Sequence, residues 1–381
     1  MKKALLILLF LTSWTFATER PKICLNMIVK NESKVIERCL QSVKPLIDYW
    51  VIVDTGSNDH TQEIVLEFMK DIPGELYERP WVNFAFNRNE ALELAKDKAE
   101  YVLFIDADDE LEIDPGFILP ELYHDGYYLK INYGGSSYYR PQIVRTDLDW
   151  RWGGVVHEAI FSYQASHTSQ LDGVVYRIVG GGDRSSDPKK FEKDAQLLEQ
   201  ALEIDPTSTR NAFYLAQSYH DAQNLSKALA SYERRVAMGG WDQEVFWSLY
   251  KIGMIHEELM MPEDVISKSY SKAYDFRPIR TEPLYRLCQY YRLKENYLLG
   301  YLLSQYALKF KQPDDVLFVE AWIYEYGLLL EHSVCAYWIG CYDESYQDSQ
   351  QLLSIKNLPQ NVRECVENNL RFIIPRMKNT P

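Results

Sequence analysis

Apolar residues along this 381-residue chain fall into two textures. In the first half they form short unbroken runs, Ile23 to Val29, Tyr49 to Val53 and Tyr101 to Ile105, with the length and composition of buried strands. Between the runs they recur at helical spacing. Val35, Ile36, Cys39, Leu40 and Val43 predict a helix over 34–43, with Asn31 or Ser33 as its cap. Ile64, Val65 and Phe68 predict another starting near His60, and a third is predicted over 90–99. Strand, helix, strand, helix is the pattern of a parallel doubly wound α/β sheet. The Tyr-rich stretch from Tyr127 to Ile143, with Gly134-Gly135 at its middle, predicts a hairpin.

After Gly180-Gly181-Gly182 and the polar stretch Asp183 to Pro188 both periodicities stop, which predicts a domain boundary. The second texture is helical. Ala201, Pro206, Leu215, Ala216, Tyr219, Ala228 and Tyr232 fit a helical-hairpin repeat of about 34 residues. The phase returns at Tyr270, Ala273, Pro278, Leu284, Leu287, Cys288, Tyr291 and Ala307, and helices are predicted to continue over 318–330 and 362–374. Small residues at Ala216, Ala228 and Cys288 would let paired helices approach while aromatics fill the gaps. Aromatics at this spacing are first of all core; a concave surface holding a peptide, glycan or protein partner is the functional alternative.

The apolar run ending at Ile105 leads straight into Asp106, Asp108 and Asp109. Acids at the carboxyl end of a central strand lie where open α/β sheets bind ligands. Crowded carboxylates repel unless a cation sits among them, and Asp106-Ala107-Asp108 suits Mg²⁺ or Mn²⁺ gripping a substrate diphosphate. A helix cap or solvated loop is the bland reading. Asp54 and Asp59 follow the second strand and can accept hydrogen bonds from a base and a ribose, although Asp54-Thr55-Gly56-Ser57-Asn58-Asp59 also reads as a simple turn.

Four blocks in order resemble the GT-A glycosyltransferases of family 2: Asn26 to Glu32, Val53 to Asp59, Asn87-Arg88-Asn89 and Phe104 to Asp108. The resemblance implies a nucleotide-diphospho-sugar transferase fold, Rossmann-like, with Asp54 and Asp59 on the nucleoside and a divalent cation on Asp106 and Asp108. It implies donor contacts at Arg88 and Asn89, which as plain residues can equally decorate a helix. Trp150 to Glu158 is similar to a Trp-x-Gly-x-x-His-Glu segment of a bacterial subgroup. There His157 is a candidate third ligand or diphosphate contact, and Glu158 the first choice for general base, ahead of Asp172 and Asp183. A surface salt bridge is the alternative for Glu158. Trp150 and Trp152 can line a sugar pocket or simply pack, and Arg140 and Arg145 can meet phosphate or solvent. The implied reaction is inverting transfer from a nucleotide sugar, by resemblance a UDP-sugar, to a glycan, lipid-linked or protein acceptor. The helical half resembles degenerate tetratricopeptide repeats.

Composition adds limits. A net charge of −14 with no basic stripe argues against a nucleic-acid partner. Residues 1–18 have the charged, apolar and small-residue parts of a secretory signal, which predicts export or membrane association, with the cytoplasmic face, where nucleotide sugars are made, as the alternative. The expected layout is therefore 1–18 signal-like, 19–186 transferase and 187–375 helical. Six cysteines lack metal-ligand spacing and read mostly as buried thiols, with a disulfide open. The competing function is a scaffold whose transferase half is inactive and whose helices recruit a partner; a nucleotidyltransferase is disfavoured because no Gly-rich basic loop follows the first strand.

Overall fold

A computed structural model describes residues 22–133, 136–184 and 187–377. The signal-like segment, Gly134-Gly135 and Ser185-Ser186 lie outside the described residues. The strands are β1 (Ile23–Val29), β2 (Tyr49–Asp54), β3 (Gly74–Glu78), β4 (Tyr101–Phe104), β5 (Glu110–Ile113), β6 (Gly126–Tyr133), β7 (Ser136–Arg145), β8 (Arg151–Gly153), β9 (Ala159–Phe161) and β10 (Thr168–Arg177). Eight of them form one sheet in the order β3-β2-β1-β4-β7-β6-β10-β5, and β8 pairs with β9 apart from it.

Alternating side chains explain why the first strands read as continuous apolar runs. Ile23, Leu25, Met27, Leu103 and Ile105 pack on one face with helix α1 (Ile36–Val43) and helix α2 (Thr61–Phe68), while Cys24, Val102 and Phe104 pack on the other with Ala95 of helix α3 (Phe84–Ala95). β1 to β4 form the expected parallel set; β10 also runs parallel to β6, but β7 runs antiparallel to β4 and to β6 and β5 antiparallel to β10, so the sheet is mixed. Strands as close in sequence as β6 and β7 can pair only antiparallel.

In the sheet half two helix starts differ from expectation. Helix α3 starts at Phe84, not near Glu90, because the Asn83 side chain caps it by accepting from the Phe86 N–H. Arg88 and Asn89 therefore lie inside the helix. Asn31 and Ser33 do not cap α1: the Asn31 side chain accepts from the Asn58 N–H, and the Ser33 N–H donates to Asp59.

Asn26 is the one polar side chain in β1, and it is buried. Its amide donates to the Ala91 carbonyl of α3 at 2.8 Å and more weakly to Val51, which pins the helix carrying Arg88 to the sheet.

The helical half comprises α4 (Lys190–Ile204), α5 (Thr209–Asp221), α6 (Leu225–Met238), α7 (Asp242–Glu258), α8 (Glu263–Phe276), α9 (Glu282–Leu293), α10 (Tyr297–Ala307), α11 (Leu328–Trp338), α12 (Tyr342–Ser354) and α13 (Gln360–Met377). Each packs on the next, as in a solenoid. Ala216, Ala228 and Cys288 are fully buried where helices approach. Helix does not begin at Phe318: residues 308–320 cross the preceding helices irregularly before a π-turn at Ile323–Gly327. Arg280 holds the Leu317 and Phe318 carbonyls, and the Phe318 ring packs against Trp247 at 5.1 Å. All six cysteines are free thiols. No helix of the described residues is long and apolar enough to cross a membrane.

Replacing Asn26 with Val strands the Ala91 contact and should cost about 1–3 kcal/mol, read as a lower urea midpoint. An unchanged midpoint would show that α3 is held without it.

Candidate active site

The loops after β1 and β2 are stitched together before any ligand arrives. Asn31 N–H donates to Ser57 Oγ at 2.9 Å, Glu32 N–H to Thr61 Oγ1 at 2.8 Å and Ser33 N–H to Asp59 at 3.1 Å. Asp59 is thus a loop fastener. Burial pushes its carboxyl up, but hydrogen bonds from Thr61 and Ser33 outweigh that and leave it at about 2. Asp54 is buried at the end of β2, where Oδ1 accepts from the Gly56 and Ser57 N–H groups; Oδ2 is buried with no partner. An unpartnered carboxylate oxygen is the feature a nucleobase N–H would satisfy.

At the end of β4, Asp106 accepts from Arg88 Nη2 of α3, and Arg88 Nε donates to Glu158 Oε1 at 2.5 Å. One guanidinium therefore bridges two acids 52 positions apart. The Arg88 and Glu158 side chains are each 11% exposed, while that of Asp106 is 40% open. Burial works against the Arg88 charge, and Asp106 and Glu158 overcome it and hold the guanidinium firmly protonated. Burial likewise raises the Asp106 pKa, but Arg88 and Arg140 outweigh it, so the net shift is downward and the acid stays ionised. The salt bridge foreseen as the bland reading of Glu158 exists, but at this buried site and not on the surface.

Tyr176, which the motifs did not single out, and Arg140, a phosphate candidate, complete the surroundings. Tyr176 of β10 donates to Asp109 at 2.8 Å and accepts from the Asp106 N–H, and the Arg140 guanidinium of β7 lies over the Tyr176 ring at 5.0 Å with its Nε unpartnered. Burial, then the Asp106 charge, raises Asp109 to about 6. Arg145, the other candidate for phosphate, pairs instead with Asp147 and Asp125. Asp108 accepts from the Gly182 N–H at 3.2 Å, close to Glu32.

Five candidate residues are placed otherwise. Asn89 clamps the Trp152 backbone, donating to its carbonyl and accepting from its N–H, both at 2.8 Å, so its amide positions β8. His157 stacks on Tyr214 of α5, with ring centroids 4.3 Å apart, and no group of three His, Cys, Asp or Glu among the described residues is placed to hold a metal ion. Asp106, Asp108 and His157 are thus not assembled as a ligand set. Trp150 is buried in the core and Trp152 packs on Phe104 and Arg88, so both indoles support the site from beneath. Asp172 is exposed on β10.

A family model described as "Glycosyl transferase family 2" matches residues 24–120, which hold Asp54, Asp59, Arg88, Asn89, Asp106 and Asp108 but not Glu158. An uncharacterized glycosyltransferase of Rickettsia conorii, RC0292, is 33% identical over 243 residues, 59% of this chain and 79% of its own length. The chain belongs to glycosyltransferase family 2. Glycosyltransferase SunS of the Bacillus subtilis SPbeta prophage is 25% identical over 218 residues, 53% of this chain and 50% of SunS. The chain therefore spans about half the length of that relative. A tetratricopeptide repeat protein structure from Parabacteroides merdae aligns with 49% of this chain and 68% of its own at 17% identity, with a TM-score of 0.37.

Within this family 2 chain Glu32 carries a pH signature. Its Oε2 is buried without a partner; burial first, then the charges of Asp108, Asp183 and Asp59, raise the carboxyl from 4.5 to about 7. A raised folded-state value means that the folded protein binds the proton more tightly, so this stabilisation is complete below about pH 4.5 and lost as pH rises through 7. Glu32→Gln should raise Tm at pH 8, by roughly 2–4 °C for each kcal/mol relieved, and leave it near wild type at pH 5. Equal shifts at both pH values would contradict the assignment.

Proposed function

We propose that this protein moves a sugar from a nucleotide-diphosphate donor, by family a UDP-sugar, to an acceptor hydroxyl with inversion at the anomeric carbon. The observation carrying the reading is the Arg88 bridge, which joins Asp106 at the end of β4 to Glu158. Asp54, with its unpartnered oxygen, faces the role of base recognition, and Arg140, with its free Nε, that of phosphate contact. Asp59 acts by fastening the loop that presents Asp54.

Asp106 and Asp108 would hold Mg²⁺ or Mn²⁺, because two carboxylates are what such an ion uses when substrate phosphates and water complete its shell. When bound, the ion supplies charge neutralisation for the departing diphosphate. Glu158 is oriented through Oε1 by Arg88, which leaves Oε2 to take the acceptor proton. The acceptor class, glycan, lipid-linked or protein, is open to the helical half, whose repeats also suit a protein partner.

The test is purified full-length protein with Mn²⁺ against a panel of nucleotide sugars, reading released nucleoside diphosphate. Asp106→Asn and Asp108→Asn should each lower turnover by at least roughly 10²-fold. Wild-type rates in both variants would overturn the reading, and Glu158→Gln at wild-type rate would remove Glu158 as the base.

A further inference from the structure

The loop of residues 154–158 between β8 and β9 belongs to both halves of the molecule. Val156 is buried among Ala195 and Leu198 of α4 and Ala212, Leu215 and Ala216 of α5. The His157 ring lies nearly parallel on the Tyr214 ring, at 18°, and the His157 carbonyl accepts from Arg210 at 2.7 Å. Arg210 itself lies over the opposite partner of that stack, 4.9 Å from the Tyr214 ring centroid. The next residue, Glu158, reaches the other way to Arg88.

His157 holds a left-handed backbone, φ 50°. Few non-glycine residues adopt that conformation, and although histidine does so more readily than most, its surroundings help to hold it. Here they are the Tyr214 face and the Arg210 hydrogen bond, both from α5, and the adjoining peptide sets the direction in which Glu158 leaves the chain.

We infer that Tyr214 is a positioning residue for the transfer reaction: α5 of the helical half, through the His157 stack, sets where Glu158 stands relative to Arg88 and Asp106. The helical domain is then part of the catalytic apparatus and not only a platform for partners. The inference rests on the proposed role of Glu158 in transfer. It predicts a split between chemistry and donor binding, because the ties that hold Asp54 and Asp108 come from the loops of the sheet half and those on Asp106 from Arg88 of α3 and Tyr176 of β10, none of them from α5.

Full-length Tyr214→Ala should lower kcat by roughly 10–100-fold, the cost of a misplaced catalytic group. Its affinity for nucleoside diphosphate with Mn²⁺ should stay within about twofold of wild type. Tyr214→Phe, which keeps the stacking ring, should restore kcat. Amide exchange over residues 155–159 should quicken about tenfold in the Ala variant and not in the Phe variant, and this readout stands even if wild type turns over no sugar, an outcome that would sink the transfer reading alone. Wild-type kcat and exchange in Tyr214→Ala would overturn the inference. So would a Phe variant as impaired as the Ala variant, or a fall in kcat matched by equal losses of nucleotide affinity and of Tm.

Discussion

A single guanidinium organises the candidate site. Arg88 is fixed on α3, α3 is pinned to β1 through Asn26, and the acids that Arg88 joins come from the end of β4 and from the loop before β9. Without it the buried Glu158 carboxylate would lose its charged partner, and the partly open Asp106 the largest charge that keeps it ionised. The bridge therefore bears on both the local fold and the charge state of the site.

Around this bridge the protein uses rigid, ligand-independent ties. The three backbone donors of Asn31, Glu32 and Ser33 fasten the first loop to the second, and Arg38 of α1 donates to the Asp108 and Gly180 carbonyls, joining the loops after β4 and β10. Backbone positions are thereby set before a donor arrives, which is the preorganisation that makes electrostatic stabilisation effective. Among the buried groups left unsatisfied, Asp54 Oδ2, Glu32 Oε2 and Arg140 Nε lie in or beside this same set of loops and strands.

Much of this was legible in the chain. Continuous apolar runs identify β1, β2 and β4 because both faces of the sheet are covered, and acids directly after such runs mark its carboxyl edge. The helical repeats were legible from Ala and Tyr at fixed spacing. What was not legible depends on contacts distant in sequence. Tyr176 lies on a strand whose alternation gives no hint that its hydroxyl serves Asp106 and Asp109, 70 and 67 positions earlier. The start of α3 was hidden because Asn83 caps a turn with weak amphipathic patterning. His157 was grouped with the acids by motif, whereas its contact with Tyr214 lies across the two halves. The irregular segment before α11 is held by Arg280, a tie that no local propensity encodes.

The most direct measurement is a crystal structure of the full-length protein soaked with uridine diphosphate and Mn²⁺. The account predicts the base against Asp54, the diphosphate beside Asp106, Asp108 and Arg140, and Glu158 still paired with Arg88. Nucleotide bound elsewhere, or at this edge with its diphosphate turned away from Asp106 and Asp108, would contradict it.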